Sequence, residues 1–184
     1  MEKKSNRCIP NRAALQEDMR LVWLRHVYWT RMLIISITEN IADQSEVAAR
    51  LMQNPSEIAE IFERFYSTEA IEPIESLLTQ HLEIGGKLMT ASRDGQTEKV
   101  AELTKEWYAN ADEIAKALLL LNPYYDFEAL VEMLHTHLDL TIAQVKAQLA
   151  GNYRKSIDEF DEVEREAVAM ADMLAEGILR QFPC

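Results

Sequence analysis

Residues 13–42 read AALQEDMRLVWLRHVYWTRMLIISITENIA, thirty positions without a glycine or a proline. Apolar side chains and one histidine recur there every three or four residues, which is the period of an α-helix with one buried face. These positions are Leu15, Met19, Val22, Trp23, His26, Trp29, Leu33 and Ile37. The stretch therefore predicts one long amphipathic helix that must pack against others.

Similar stretches follow along the chain, separated by short stop and cap signals. Two short helices, 45–52 and 54–66, are predicted as a connector, with Asn54-Pro55 as cap and first turn of the second. Further long helices are predicted over residues 68–94, 97–121, 126–151 and 152–181. Tight turns between long helices predict an all-α antiparallel bundle, a four-helix core plus a fifth long helix. Residues 1–12 read as a flexible arm, and 13–184 as a single domain.

The amino-acid composition excludes several kinds of fold and function. The 19 Lys and Arg against 31 Asp and Glu give a net charge of −12, which repels nucleic acid and anionic membranes. Five glycines and five prolines are too few for a many-stranded sandwich, and there is no glycine-rich phosphate loop. Cys8 and Cys184 make no disulfide framework, and no apolar segment approaches the ~20 residues of a membrane span. We expect a cytoplasmic protein.

The histidines carry the best functional signal. Of four, His26, His81 and His137 fall on the inward faces of three different predicted helices. A buried neutral imidazole needs hydrogen-bond partners, because an unpaired buried polar group costs roughly 1–3 kcal/mol. Three such rings could share a divalent metal ion (zinc, iron or manganese), or each could be an ordinary core histidine bonded to its own neighbours. His135 lies two positions from His137 and should face solvent.

Three carboxylates, Asp112, Asp161 and Glu164, lie at the edges of inward faces and could complete a metal site, although a solvated position is the alternative for each. A di-iron centre is not expected, because the Glu-x-x-His spacing of such bundles occurs only once, at Glu132 and His135. The acidic last helix, including Glu166, is expected to be a solvated face. In general shape the predicted bundle resembles ferritin and hemerythrin, without their ligand spacings.

The sequence also contains a faint internal echo. Trp23-x-x-His26 matches Trp107-x-x-Asn110, and the segment after each carries a histidine followed by leucine, at His81 and His137. Two helical hairpins of similar design could therefore stack into one core.

Several blocks spread over nearly the whole chain form a recognisable set. They are Trp23-x-x-His26-x-x-Trp29-Thr30-Arg31, Leu78-Thr-Gln-His81-Leu, Trp107-Tyr-Ala-Asn110-Ala-Asp112, Asn122-Pro123, His137-Leu-x-x-Thr141 and Ala175-Glu-Gly-Ile178 with Gln181-Phe-Pro. With them the chain resembles a family of small all-helical proteins of Gram-positive, often spore-forming bacteria. The resemblance implies a helical bundle with His26, His81, Asp112 and His137 as its polar signature, and it implies no established reaction. Some of those proteins carry the label acetylglutamate kinase, but that kinase has an α/β fold with glycine-rich loops, so kinase activity is not expected here.

The sequence thus predicts a helical bundle that binds a metal ion or a small ligand through inward histidines. The alternative is a structural or protein-interaction bundle with no cofactor, in which the histidines only satisfy one another. A small-molecule ligand and a second copy of the chain are the partners that remain. No recognisable catalytic motif decides whether the protein is an enzyme.

Overall fold

The computed structural model describes residues 12–183. Within them the chain is all-α, with seven helices and no strand: α1 (Arg12–Thr38), α2 (Gln44–Leu51), α3 (Asn54–Phe62), α4 (Thr68–Arg93), α5 (Thr97–Leu121), α6 (Phe127–Leu149) and α7 (Tyr153–Gln181). The predicted all-α bundle is confirmed. Apart from Arg12, which begins α1, the predicted N-terminal arm lies outside the described residues, as do Cys8 and Cys184.

Helix α1 ends four residues earlier than its apolar pattern predicts. Asn40 has a φ of +52°, and the N–H of Ile41 donates to the carbonyl of Ser36 at 2.9 Å. This is a left-handed helix stop, a conformation that asparagine adopts more readily than other residues with a side chain. The predicted stops at Gly95 and Gly151 use the same conformation, with φ of +67° and +68°.

The helices pack mainly as hairpins, α4 against α5 and α6 against α7, while α1 packs against α7 and also contacts α3, α4 and α6. Short loops make successive long helices antiparallel. The short helices α2 and α3 return the chain from the end of α1 to the start of α4, as the connector prediction expects. Side chains of α1, α4 and α6 can therefore meet inside the bundle.

Buried apolar residues among the described positions form three clusters, the largest of which includes side chains of α1, α3, α4, α5, α6 and α7. Met19, Phe62, Ile114, Leu130 and Met170 are each less than 2% exposed. Removing each such side chain from water stabilises the fold by about 1.5–3 kcal/mol. No helix among residues 12–183 has the length and apolar character needed to cross a bilayer.

The helical spacing of apolar residues in the last helix predicts that Ile157 faces the core, and this prediction is wrong. Ile157 is 45% exposed, whereas its neighbour Ser156 is completely buried. The Ser156 hydroxyl donates to the side-chain oxygen of Gln148 at 2.8 Å, so a polar contact with α6 sets the rotation of this first turn.

Candidate functional site

Three histidines from three helices line one internal cavity. His26 on α1, His81 on α4 and His137 on α6 are 5%, 5% and 3% exposed. All three line the same small space, together with Thr30, Trp107 and apolar side chains. The rings of His26 and His137 have centroids 5.6 Å apart. The volume of this cavity is about 10 Å³, which is close to the minimum that one water molecule needs.

Asn54 fixes the orientation of His26. The Asn54 amide nitrogen donates to the carbonyl of Val22 at 3.1 Å, and its amide oxygen lies 2.9 Å from Nδ1 of His26. Since a carbonyl can only accept, the amide cannot be the other way round. The Asn54 oxygen must therefore accept from Nδ1–H of His26.

Asn110 repeats this arrangement on a different pair of helices. Its amide nitrogen donates to the carbonyl of Leu77 at 3.1 Å, and its oxygen lies 2.7 Å from Nδ1 of His81. In both cases the carbonyl belongs to the residue four positions before the histidine, so one asparagine links two successive turns of a neighbouring helix. Trp107 adds a further contact, because its indole N–H donates to the carbonyl of His81 at 2.9 Å.

Glu166 of α7 performs the same task for His137. Its Oε2 lies 3.0 Å from Nδ1 of His137, and the two side chains are 11% and 4% exposed. The other carboxylate oxygen, Oε1, is buried and has no hydrogen-bond partner among residues 12–183. A carboxylate without its proton only accepts, so Nδ1 of His137 also carries a hydrogen.

These contacts determine which ring nitrogen is free. With Nδ1–H donating in all three rings, Nε2 is the nitrogen left over in each, and in a neutral imidazole that atom carries an unshared electron pair. Among residues 12–183, each of these rings forms its hydrogen bond through Nδ1, and Nε2 has no partner. Three Nε2 atoms without a hydrogen-bond partner in the described residues therefore belong to rings that line one small cavity.

Electrostatics keep at least two of the rings neutral. Burial lowers the pKa of His26 to about 3, with repulsion from His137 and His81 adding to the effect and the hydrogen bond to Asn54 opposing it. Burial likewise lowers the pKa of His81 to about 3, against the hydrogen bond to Asn110 and with a contribution from His137. Neutral imidazole is the form that binds metal ions.

Thr30 contributes an unpaired hydroxyl to the cavity. It lies one turn after His26 on α1, lines the same space, and its Oγ1 is buried without a hydrogen-bond partner in the described chain. Most buried polar side-chain atoms in proteins have a hydrogen-bond partner, either in the protein or in an ordered water. The Thr30 hydroxyl can therefore still form a hydrogen bond with a molecule or ion in the cavity. As they stand, however, no three imidazole, thiolate or carboxylate groups of residues 12–183 are grouped so as to hold a metal ion.

The carboxylates predicted to complete the site lie elsewhere. Asp112 is bonded to Nε2 of His135 at 2.8 Å, Glu164 accepts from the hydroxyl of Tyr28 at 3.0 Å, and Asp161 is exposed. None of Asp112, Asp161 and Glu164 lines the histidine cavity. His135 is half-exposed and packs edge-on against the ring of Tyr108.

Two important residues were missed or misassigned from the sequence. Asn54 was expected to be a helix cap, but it is completely buried and binds His26. Glu166 was expected to face solvent, and it is instead nearly enclosed beside His137. For Asn110, the match between its motif and that of His26 was the one signal in the sequence of its role.

No protein-family model matches the sequence, and no curated protein or solved structure matches it either. The family resemblance described above stays a prediction. The geometry of the histidine cavity is therefore the basis for a functional assignment.

Proposed function

We propose that this protein is a metal-binding helical bundle that holds one divalent transition-metal ion through Nε2 of His26, His81 and His137. The observation that carries the proposal is the fixed tautomer of the three rings. Asn54, Asn110 and Glu166 each accept from an Nδ1–H, which leaves Nε2 of all three rings without a partner among the described residues, and the three rings line one small cavity.

The surroundings match what metal-binding histidines usually have. A metal-ligating imidazole commonly donates its second N–H to a carboxylate or carbonyl oxygen, which orients the ring and raises its basicity. Three neutral nitrogen ligands suit zinc or iron, and manganese less well, with Glu166 supplying a nearby negative charge. The cavity has no room for an organic molecule beside the rings, which favours an ion over a small ligand inside it.

Three protein ligands leave a coordination position open, as in catalytic rather than structural metal sites. The unpaired hydroxyl of Thr30 would face a water or substrate oxygen at that position. An ion with an open position acts as a Lewis acid and lowers the pKa of a bound water. Catalysis is thus compatible with the site, and the reaction is not assigned.

Binding would require the rings to move, because the ligand atoms are not grouped around a common point as they stand. This separation is the observation that favours the alternative, a structural or interaction bundle without a cofactor. In that case the three Asn and Glu contacts would only satisfy buried imidazoles. The two proposals differ in whether an ion is held.

Metal analysis by mass spectrometry of protein purified without a histidine tag tests the proposal. We expect about one equivalent of metal, and stabilisation by about 2.7 kcal/mol at a free ion concentration one hundred times Kd. His137→Ala should lose the metal, whereas His135→Ala on the same helix should retain it. Wild-type protein with no metal, and with no rise in Tm on addition of zinc, iron(II) or manganese, would support the bundle without a cofactor.

We propose a cytoplasmic protein without nucleic-acid or membrane partners, supported by the net charge of −12. A homodimer and membership of the family of small helical bacterial proteins are proposed on the sequence alone.

A further inference from the structure

A pocket between α4, α5 and α6 has no part in the proposed metal site. Its volume is about 280 Å³, just below the roughly 300–1,000 Å³ that is usual for small-molecule sites. Apolar side chains of all three helices form much of its lining, namely Leu88, Met89, Val100, Ile142, Val145 and Leu149. The pocket can therefore accept the apolar body of a small molecule.

Two aromatic side chains complete the walls, and contacts outside the pocket hold both in place. The indole N–H of Trp107 donates to the carbonyl of His81 at 2.9 Å, and a Cβ at Gly85 would come within 3.1 Å of the indole ring. The hydroxyl of Tyr108 donates to the carboxylate of Asp139. A ligand would therefore meet aromatic surfaces that are already ordered, which lowers the entropic cost of binding.

The polar side chains of the lining have one free donor group. The hydroxyls of Ser92 and Thr104 donate to carbonyls one turn earlier in their own helices, at 2.8 and 2.7 Å. The donors of Trp107 and Tyr108 are also engaged, whereas the ammonium of Lys146 has no partner among residues 12–183. The ion pairs of the described chain engage four other lysines, Lys87, Lys99, Lys116 and Lys155.

The two charged residues of the lining are well separated along α6. Asp139 and Lys146 are seven residues apart, which corresponds to about 10.5 Å of helix. Lys146 is exposed and Leu149 is 38% exposed, so this end of the pocket meets solvent. A negatively charged group beside Lys146 would thus stay hydrated and lie two helical turns from the like charge of Asp139.

We propose that this pocket binds an elongated molecule with an apolar body and one terminal carboxylate, the chemistry of a medium-chain alkyl carboxylate. The carboxylate pairs with Lys146, and the chain lies against Trp107 and the apolar lining. Charge complementarity selects this head group, because the ammonium of Lys146 is unpaired while Tyr108 already engages Asp139. The site requires no metal ion and adds a second ligand to the proposed function.

Isothermal titration calorimetry of the wild type with hexanoate, octanoate and decanoate at neutral pH tests the proposal. We expect saturable binding to one site, with affinity rising up to about fourfold per methylene until the pocket is filled. Lys146→Met should lower decanoate affinity about tenfold and leave the affinity for 1-decanol unchanged, because only the carboxylate uses the ammonium. Lys105→Met removes an equal charge from an exposed residue outside the pocket and should bind decanoate as the wild type does.

A second pair of variants tests the place of the alkyl chain. Thr104→Phe would fill the pocket and should abolish binding of decanoate and 1-decanol alike. Thr79→Phe is the matched control, since this half-buried hydroxyl also donates to a carbonyl one turn earlier and does not line the pocket.

Three results would overturn the inference. They are a wild type without saturable decanoate binding, a Lys146→Met variant whose affinities for decanoate and 1-decanol change equally, and tighter binding of decylamine than of decanoate, which would assign the head group to Asp139. Decanoate should bind equally well after treatment with a chelator. A failure here therefore leaves the metal site standing, and a protein without metal leaves this pocket standing.

Discussion

Glu166 on α7 and His137 on α6 form an almost enclosed pair, with the carboxylate Oε2 3.0 Å from Nδ1 of the ring. The pair connects the last helix to a cavity whose other walls come from α1, α2, α4 and α5. Because the carboxylate accepts from Nδ1–H, it makes the free Nε2 a stronger electron-pair donor. The buried Oε1 of Glu166 has no partner in the described chain, so the carboxylate is held in place chiefly by the imidazole.

Replacing Glu166 should weaken metal binding without removing a ligand. Second-layer partners of metal-bound histidines typically contribute about 10–100-fold in affinity. We expect Glu166→Gln to fall at the lower end of that range, because the amide oxygen can still accept from His137, and Glu166→Ala at the upper end. Competition against a chromophoric zinc chelator measures the change.

Glu164→Gln is the matched control for Glu166, since Glu164 bonds the hydroxyl of Tyr28 away from the cavity. It should leave zinc affinity unchanged. Equal losses in the Glu164 and Glu166 variants would indicate a general effect of charge rather than a specific role of the His137 contact.

Removing Asn54 should destabilise the fold through the imidazole that it leaves behind. In Asn54→Ala, Nδ1 of His26 loses its partner in a buried setting, which costs about 1–3 kcal/mol. Urea denaturation of the metal-free protein measures this loss. In a His26→Phe background the same Asn54→Ala change should cost clearly less, because no imidazole is left unpaired; an equal cost in both backgrounds would contradict the assignment.

The position of the three histidines was predictable, and their partners were not. An apolar period assigns a residue to the inner face of a helix, which was enough for His26, His81 and His137. Asn54 begins a short helix, and an asparagine-proline pair is a common start of a helix. The sequence therefore indicated a capping role for Asn54 and not its hydrogen bond to α1. Glu166 lies at the edge of the buried face of α7, where the sequence does not show which way a long side chain turns.

Some helix ends could be predicted from the sequence, and others could not. Glycine stops at 95 and 151 were read correctly, because glycine is the residue that adopts a positive φ at little cost. The stop at Asn40 was missed, since asparagine occurs in many other settings.

Acid should destabilise the metal-free protein in a range set by the buried rings. The unfolded His26 and His81 take up protons near pH 6.5, whereas in the fold burial lowers their pKa to about 3. Between these values the unfolded state binds more protons, so stability falls as the pH is lowered from about 6.5 towards 3. Each ring contributes up to about 1.4 kcal/mol per pH unit.

His81→Asn keeps a donor for Asn110 and removes one titrating group. Chelator-treated protein, unfolded in urea at pH 7 and pH 5, should show a smaller loss of stability for His81→Asn than for the wild type. His135→Asn, at a half-exposed histidine, is the comparison. A variant at His81 that loses as much stability as the wild type would show that this ring does not control the acid response.

Two glycines should respond to the same substitution in opposite directions. Gly177 on α7 lies against the buried ring of Tyr125, whose hydroxyl donates to the carbonyl of Leu174 at 2.8 Å, and a Cβ at Gly177 would overlap that ring. Gly177→Ala must therefore displace Tyr125, and overpacking of this kind costs roughly 1–3 kcal/mol or more. Gly86→Ala meets no atom within 4 Å and should instead stabilise α4 by roughly 0.5–1 kcal/mol. Thermal unfolding distinguishes the two, with a fall in Tm for Gly177→Ala and a small rise for Gly86→Ala; a fall for Gly86→Ala would mean that the space beside it is closed.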